Sequence, residues 1–354
     1  MAITIAAGDN SDAHGRTSGG PSGVPIPSAE MQKRLRFLAL LAAASIALPA
    51  CSNTPAAAPK PSPSPNPTTP VPTPSLTATP TPKPAAFSTD KAFGYLRHLA
   101  VEIGHREAAA SGYREAADYA AGLFRSFGYT VTRQKVPVPS GEQQGVAVAA
   151  GSTQNVIAAP KGFDPTEQHM LVGAHLDTVA NTRGANDNGT GSAVLLELAR
   201  VASITKPVTP LIFVLFGGEE RRRPGVGGAT FGSRYYLTHM SRAQADALGG
   251  VFVLDMVGAG PIAYICHAAL TEKDLVDAAV ATGKRLKLPS QKRIVTGYFS
   301  DHAPFERAGY MVAWMWSGEH STLHTPRDTM AIVQRASVSR VGRIAWETLR
   351  TFAL

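Results

Sequence analysis

The sequence predicts an α/β fold, a sheet covered by helices on both faces, and three observations predict it. From about Phe87 onward, short apolar runs alternate with stretches of helical periodicity. One run, Leu211–Phe216, is apolar throughout, as a central strand buried on both faces must be. The hydrophobic content is 44% over 354 residues, enough for a sizeable core, which excludes a wholly disordered chain.

Taken in order, Ser88 or Thr89 caps a first helix whose apolar face is Phe93, Leu96, Leu99, Ala100 and Ile103, with Gly104 as its stop. A second helix carries Tyr113, Ala116, Ala120, Leu123, Phe124 and Phe127 on one stripe and ends at Gly128. Strands are expected at residues 155–159, 170–174, 211–216, 251–254, 262–265 and 311–316, and helices over 192–202, 271–286 and 337–352. Trp314 and Trp316 share a period-two face and are expected in the core, as is Cys266. Glu197 reads as a structural helix residue, and His98, His105, His169, His239 and His267 as structural histidines.

Ahead of this domain, residues 87–354, lie an address and a spacer. Lys33, Arg34 and Arg36 precede the fourteen-residue, mostly apolar run 37–50 and then Cys51, the layout of a secretory signal over residues 31–50. That run is shorter than the roughly 20 residues a helix needs to cross a bilayer. Leu48-Pro49-Ala50-Cys51 resembles a bacterial lipobox, which implies cleavage before Cys51 and a lipid anchor on its sulfur. Ordinary cleavage near Ala50 would instead release a secreted product. Residues 1–30, polar and Gly-rich ahead of a complete signal, read as an extension upstream of the native start. Residues 51–86 are rich in Pro, Thr and Ser, with twelve of the 27 prolines and no acidic residue, the composition of a semi-rigid linker.

The formal charge of +8 is spread thinly, for residues 1–85 hold six basic and three acidic side chains. No nucleic-acid partner is expected, because counterion release needs clustered cations. The two cysteines, Cys51 and Cys266, exclude a disulfide framework.

Chemistry is concentrated after the strands, where ligands of open α/β sheets bind. The run 170–174 leads into His175 and Asp177, and Leu211–Phe216 passes two glycines into Glu219 and Glu220. The run 251–254 meets Asp255, His324 follows the last strand, and Asp187 sits in a turn that opens a helix. Two imidazoles with several carboxylates and no thiolate suit zinc. Two ions roughly 3.5–4 Å apart need a bridging anion, and Asp187 is the candidate. One glutamate can ligate while its neighbour handles protons. The Asp177 side chain, two residues after His175, can accept the second ring N–H of that imidazole.

Six short stretches together resemble the family of co-catalytic dizinc exopeptidases that includes aminopeptidase Y and bacterial leucyl aminopeptidases. They are Gly173-Ala174-His175-Leu176-Asp177-Thr178, Gly184-Ala185-Asn186-Asp187-Asn188-Gly189, Phe216-Gly217-Gly218-Glu219-Glu220, Leu254-Asp255-Met256-Val257-Gly258, Ser300-Asp301-His302-Ala303-Pro304-Phe305 and His324-Thr325-Pro326-Arg327-Asp328-Thr329. The resemblance covers the folded domain and implies a three-layer α/β/α architecture with a mixed, mostly parallel central sheet. It also implies two zinc ions, with His175 and Asp255 on one, Glu220 and His324 on the other, and Asp187 between them. Glu219 would be the general base toward a zinc-activated water that hydrolyses N-terminal residues from a peptide substrate. Asp301 and His302 would belong to a substrate-side loop, with His302 either lining the site or supporting the loop. Tyr298 and Phe299, just before that motif, are candidates to face substrate.

Arg221, Arg222 and Arg223 open a loop longer than the family's usual one. They read either as solvated surface or as a cationic rim favouring acidic side chains or a substrate carboxylate. The same ligand set leaves open a glutaminyl cyclase and a carboxypeptidase acting on C-terminal glutamate; a non-catalytic binding module on the same scaffold is the third alternative, disfavoured because every ligand position and Glu219 are present.

Overall fold

The computed structural model describes residues 84–225, 227–268, 272–295, 300–318 and 320–354. The expectations for the signal, Cys51 and nearly all of the linker, and for Tyr298 and Phe299, lie outside the described residues.

The Ser88 side chain accepts from the Lys91 backbone N–H and starts helix α1 (Thr89–Arg97). Beyond it the chain does not stay α-helical to Gly104, as its periodicity suggested. It widens over His98–Ile103, closing with the Gly104 N–H donating to the Leu99 carbonyl five residues back at 3.0 Å. Helix α2 (Ser111–Ser126) buries the expected stripe, including Tyr113, Ala116, Ala120 and Phe124. Strand β1 (Thr130–Val138) is followed by an unexpected small hairpin, β2 (Gly141–Gln143) and β3 (Val146–Val148). Then β4 (Gly151–Ala159) returns antiparallel to β1.

The remaining elements are β5 (His169–His175), α3 (Gly191–Ile204), β6 (Leu211–Phe216), α4 (Phe231–Thr238), α5 (Arg242–Ala247), β7 (Leu248–Leu254), β8 (Ala263–His267), α6 (Asp274–Arg285), β9 (Ser290–Ile294), α7 (His302–Arg307), β10 (Val312–Trp316) and α8 (Arg335–Leu349). The eight-stranded sheet runs β1-β4-β6-β5-β7-β10-β8-β9. Its centre, β6-β5-β7-β10, is parallel. Antiparallel pairing joins β4 to β6 and β8 to β10. Strand β9 eluded the pattern because Ser-Gln-Lys-Arg-Ile has no apolar alternation; such polar residues suit an edge strand.

Side chains alternate across the central strands. Met170, Val172, Phe213, Leu215, Phe252 and Leu254 pack beneath α2, α3, α6 and α8. Leu171, Val214, Phe216, Val253 and Trp314 face the other way, against Leu237 of α4 and Phe305 of α7. Both faces are therefore covered, which makes three layers. Cys266 is buried in β8 as expected. No helix among the described residues is long and apolar enough to cross a membrane.

The connection β5-α3-β6 crosses one face, while β6-α4-α5-β7 crosses the other and lands on the opposite side of β5. The strand order thus reverses at β5, and a crevice opens beyond the carboxyl ends of β5, β6 and β7.

At the opposite pole the domain begins. The Ala85 N–H donates to the Thr205 hydroxyl, and the Trp346 indole N–H donates to the Ala85 carbonyl, both at 2.7 Å. Phe87 lies flat on α8 at Gly342, where a Cβ would come within 2.1 Å of its ring. Phe87→Ala is therefore expected to lower unfolding stability by about 3 kcal/mol, read as a shift of the urea midpoint; an unchanged midpoint would show that this anchor carries no stability.

Candidate metal centre

His175 ends β5, and Asp255 follows β7 directly. Parallel pairing of these strands sets the two ligand candidates side by side, with His175 Nε2 3.4 Å from Asp255 Oδ1. Asp187 arrives from the wide turn Ala185–Thr190, inside which Asp187 (φ −107, ψ 98) and Asn188 (φ −119, ψ 46) leave helical geometry; the peptide between them is cis. One Asp187 oxygen lies 3.3 Å from His175 Nε2, and the other lies 3.1 Å from His324 Nε2. His324 Nε2 is also 3.2 Å from Glu220 Oε2. Two triplets result, His175/Asp187/Asp255 and Asp187/Glu220/His324, each with ligand atoms within 4.8 Å of one another. Asp187 belongs to both.

The donor chemistry fits divalent cations. Each triplet joins imidazole nitrogen to carboxylate oxygen. Among the described residues, Glu220 Oε1 and Asp255 Oδ1 are buried without a hydrogen-bond partner, a costly arrangement for carboxylate oxygens unless a cation answers them. Burial opposes a proton on His324, yet Glu220 and Asp187 overcome it and raise its pKa to about 11. A crevice that holds a proton this firmly attracts a dication for the same reason. Burial also works to raise Asp187, but the two imidazoles prevail and hold its carboxyl below the ordinary value. Glu220 is pushed up to about 7, by burial and then by the charge of Asp187.

Glu219 stands beside the triplets and belongs to neither. Burial holds its carboxyl well above the usual range; His175 opposes this, and Glu220, Asp301 and Asp255 add to it. Its backbone is fixed by Asp177. Asp177 Oδ1 accepts from the N–H groups of Gly218 and Glu219 at 2.9 and 3.0 Å, and Oδ2 accepts from Glu220 N–H at 3.2 Å. This corrects the expected role of Asp177. Its carboxylate oxygen is 3.8 Å from His175 Nδ1, whereas its backbone carbonyl is at 3.2 Å and receives the ring N–H. The side chain is turned to the adjacent loop because three successive backbone donors there compete for it. The loop requires both glycines: Gly218 has φ +76, and a Cβ at Gly217 would meet Thr153 and Tyr113 oxygens at 2.4 Å.

Two further residues eluded the sequence reading. Asp328 is buried and accepts from the N–H groups of Asn186 and Asp187 at 2.8 and 3.0 Å, which ties the His324 loop to the Asp187 turn. It lies in the last of the six family-like stretches, four residues after His324, but that place by itself assigns it no role. Arg106, fully buried, donates to the carbonyls of Leu176, Leu99, Gly104, Arg183 and Gly184. Burial lowers its pKa to about 10, with Asp328 and Asp177 opposing, so it remains a cation under the acidic crevice. Nothing in its sequence context separates it from a surface arginine. Asn188 adds a third tie, accepting from Gly191 and Met256 and donating to the Leu254 carbonyl. Five of the six non-glycine residues with positive φ among the described residues, Gln144, Asn181, Thr230, Met256 and His324, sit in loops around this crevice, where strained backbone is characteristic of functional sites.

On the substrate-side candidates, Asp301 is buried and accepts from the Ser233 hydroxyl at 2.5 Å. His302 is buried and stacked on Trp314, with centroids 4.3 Å apart, so it supports the wall and is packed into it. The arginine loop is corrected as well. Arg221 and Arg223 are exposed, but Arg222 is buried, 2.7 Å from Glu107 and 2.6 Å from the Ala149 carbonyl. A buried, paired guanidinium is neither solvated surface nor a rim charge offered to substrate.

The comparisons with known proteins agree with this geometry. A family model described as Peptidase family M28 matches residues 155–349, which include all five ligand candidates and Glu219. Leupeptin-inactivating enzyme 1 of Streptomyces exfoliatus is 30% identical over 222 residues, 62% of this chain and 46% of that protein. Aminopeptidase YwaD of Bacillus subtilis is 28% identical over 202 residues, 54% of this chain and 43% of that protein. The chain thus spans less than half the length of these curated relatives. Among solved structures, BSAP, a zinc aminopeptidase from Bacillus subtilis, is similar with a TM-score of 0.66 at 18% identity, over 74% of this chain and 94% of that one. Porphyromonas gingivalis glutaminyl cyclase is similar with a TM-score of 0.62 at 25% identity, over 74% and 98%. With the family model matched over more than half of its residues, the chain belongs to peptidase family M28.

Proposed function

We propose that this chain is an exported zinc aminopeptidase that removes N-terminal residues from peptides, with two zinc ions held by His175 and Asp255 on one side, Glu220 and His324 on the other, and Asp187 shared. The observation that carries the reading is the division of Asp187, whose two oxygens face two different histidines, each accompanied by its own second carboxylate. Membership of a peptidase family and the relatedness to Aminopeptidase YwaD support it. Zinc bound there lowers the pKa of water from 15.7 to about 7 and polarises the scissile carbonyl.

The chain's own residues supply the rest. Glu219, kept off the triplets by the Asp177-anchored loop, accepts the proton of the attacking water and returns it to the leaving amine. Burial, with the charges of Glu220, Asp301 and Asp255 adding to it against His175, keeps its affinity for a proton high, which suits a group that must hold the proton until the amine departs. Burial of the crevice removes competing solvent from both transfers.

Release of product from a panel of free aminoacyl reporters should stop on treatment with a chelator and return with zinc. N-blocked analogues should be inert. Because a cyclase shares this fold, a peptide beginning with Gln belongs in the panel; cyclisation of that peptide without hydrolysis of the others would replace the reading. Glu219→Gln should keep its metal content, measured by elemental analysis, and lose roughly 10²–10⁴ in turnover; a fully active variant would remove Glu219 from the role.

The signal layout and Cys51 support export with a lipid anchor. Cys51→Ala should move the protein from the membrane to the soluble fraction, whereas a variant still bound to membrane would leave the anchor without its attachment point.

A further inference from the structure

His175 and His324 both present Nε2 to the carboxylates, so as ligands both must carry their proton on Nδ1. A metal-bound imidazole nearly always donates that second N–H to an acceptor, which fixes the ring and its tautomer. For His175 the acceptor is the Asp177 carbonyl. For His324, among the described residues, one polar side chain lies at hydrogen-bond distance from Nδ1: the Gln144 amide, with its Nε2 placed toward the ring at 3.3 Å, so that accepting the Nδ1 proton requires the amide turned over.

Gln144 comes from the β2–β3 hairpin. With Gln144 at φ +50 and Gly145 at φ +78 between the two strands, the tip is a two-residue turn with left-handed geometry at both positions, the tightest common link between antiparallel strands. The hairpin is fastened on both sides of this tip. Gln143 is buried and its Oε1 accepts from the Ala180 N–H at 3.0 Å, on the loop after β5. The Glu142 N–H donates to the Arg222 carbonyl at 3.0 Å, and Arg223 donates to the Ser140 carbonyl at 2.8 Å. Arg222 itself is the buried rivet, joined to Glu107 and to Ala149 at the base of the hairpin. The enlarged arginine loop and the hairpin therefore form one braced wall, and its tip touches a ligand candidate.

We propose that Gln144 is the positioning residue of His324, its amide oxygen accepting the Nδ1 proton so that Nε2 is free to ligate, and that the arginine loop exists to hold the hairpin in that position. Nitrogen and oxygen of an amide are interchangeable by a half-turn, and only the orientation with oxygen toward Nδ1 is compatible with a ligating Nε2. The inference rests on the two-zinc reading.

Three full-length proteins test it: the unaltered chain, Gln144→Leu and Gln144→Glu. Zinc affinity is measured by competition with a chromophoric chelator, and thermal midpoints are measured on the metal-free proteins. Gln144 is exposed, so the three midpoints should agree. Gln144→Leu should lose roughly tenfold to a hundredfold in affinity for one of two ions, and Gln144→Glu, which keeps an acceptor, should remain within a few-fold of the unaltered chain. A Leu variant that holds both ions normally, or a Glu variant as weak as the Leu variant, overturns the role. An unaltered chain that takes up fewer than two zinc ions overturns the two-zinc reading first, and this failure is distinct from the other two.

Discussion

Burying carboxylates against one another is the constraint from which the rest of this structure follows. Asp177, Asp187, Glu219, Glu220, Asp255, Asp301 and Asp328 are all buried around one crevice. Like charges in a low-dielectric setting repel strongly, and each desolvated oxygen needs a donor. The chain assigns donors by rank. Asp177 takes three backbone N–H groups, Asp328 takes two, and Asp301 takes a hydroxyl. Among the described residues, Glu220 Oε1 and Asp255 Oδ1 are left without a hydrogen bond. Asp177 and Asp328, with both oxygens answered, hold loops, whereas Glu220 and Asp255, each with an oxygen left short, are placed to meet cations; Asp301 also keeps one oxygen, Oδ2, unanswered.

That division also explains the backbone. Away from a helix N-terminus, a chain offers consecutive N–H groups to one carboxylate by departing from strand geometry, as Gly218 to Glu220 do around Asp177. The turn carrying Asp187 departs from it too, and is held from three sides: by Asp328, by Asn188 reaching to Leu254 and Met256, and by Arg106 through the carbonyls of Arg183 and Gly184. Arg106 acts on geometry and charge at once. Its five carbonyl acceptors place a permanent cation beneath the acids, and the same bonds widen the chain between α1 and Gly104 by drawing on the carbonyls of Leu99 and Gly104.

What the sequence made legible was periodic or clustered at strand ends. The parallel strands β5, β6 and β7 are apolar runs whose first polar residues are His175, the Glu219-Glu220 pair and Asp255, so strand and site were read in one step. The hairpin strands β2 and β3 have three residues each, too few to show a period, and the edge strand β9 is short and polar; the pairing of all three is decided by tertiary contact. Arg222 was misread for a related reason: composition makes three successive arginines a solvated stretch, and only the fold brings Glu107 and the Ala149 carbonyl to the middle one. Asp177 was placed correctly and partnered wrongly, because spacing along the chain shows its nearness to His175 but not the competing N–H groups of a loop some forty residues later.

The position of the first described residues bears on how substrate reaches the crevice. Ala85 is fixed to Thr205 and Trp346, and Thr205 caps α3 just before β6 begins. Glu219 and Glu220 follow the other end of β6. Entry of the chain and opening of the crevice therefore lie at opposite poles, separated by at least the length of a six-residue strand, about 20 Å at roughly 3.3 Å per residue. A domain held through its N-terminal segment turns the crevice away from the point of attachment. For the proposed lipid-anchored form, tethering and access to a polymeric substrate then do not compete for the same face.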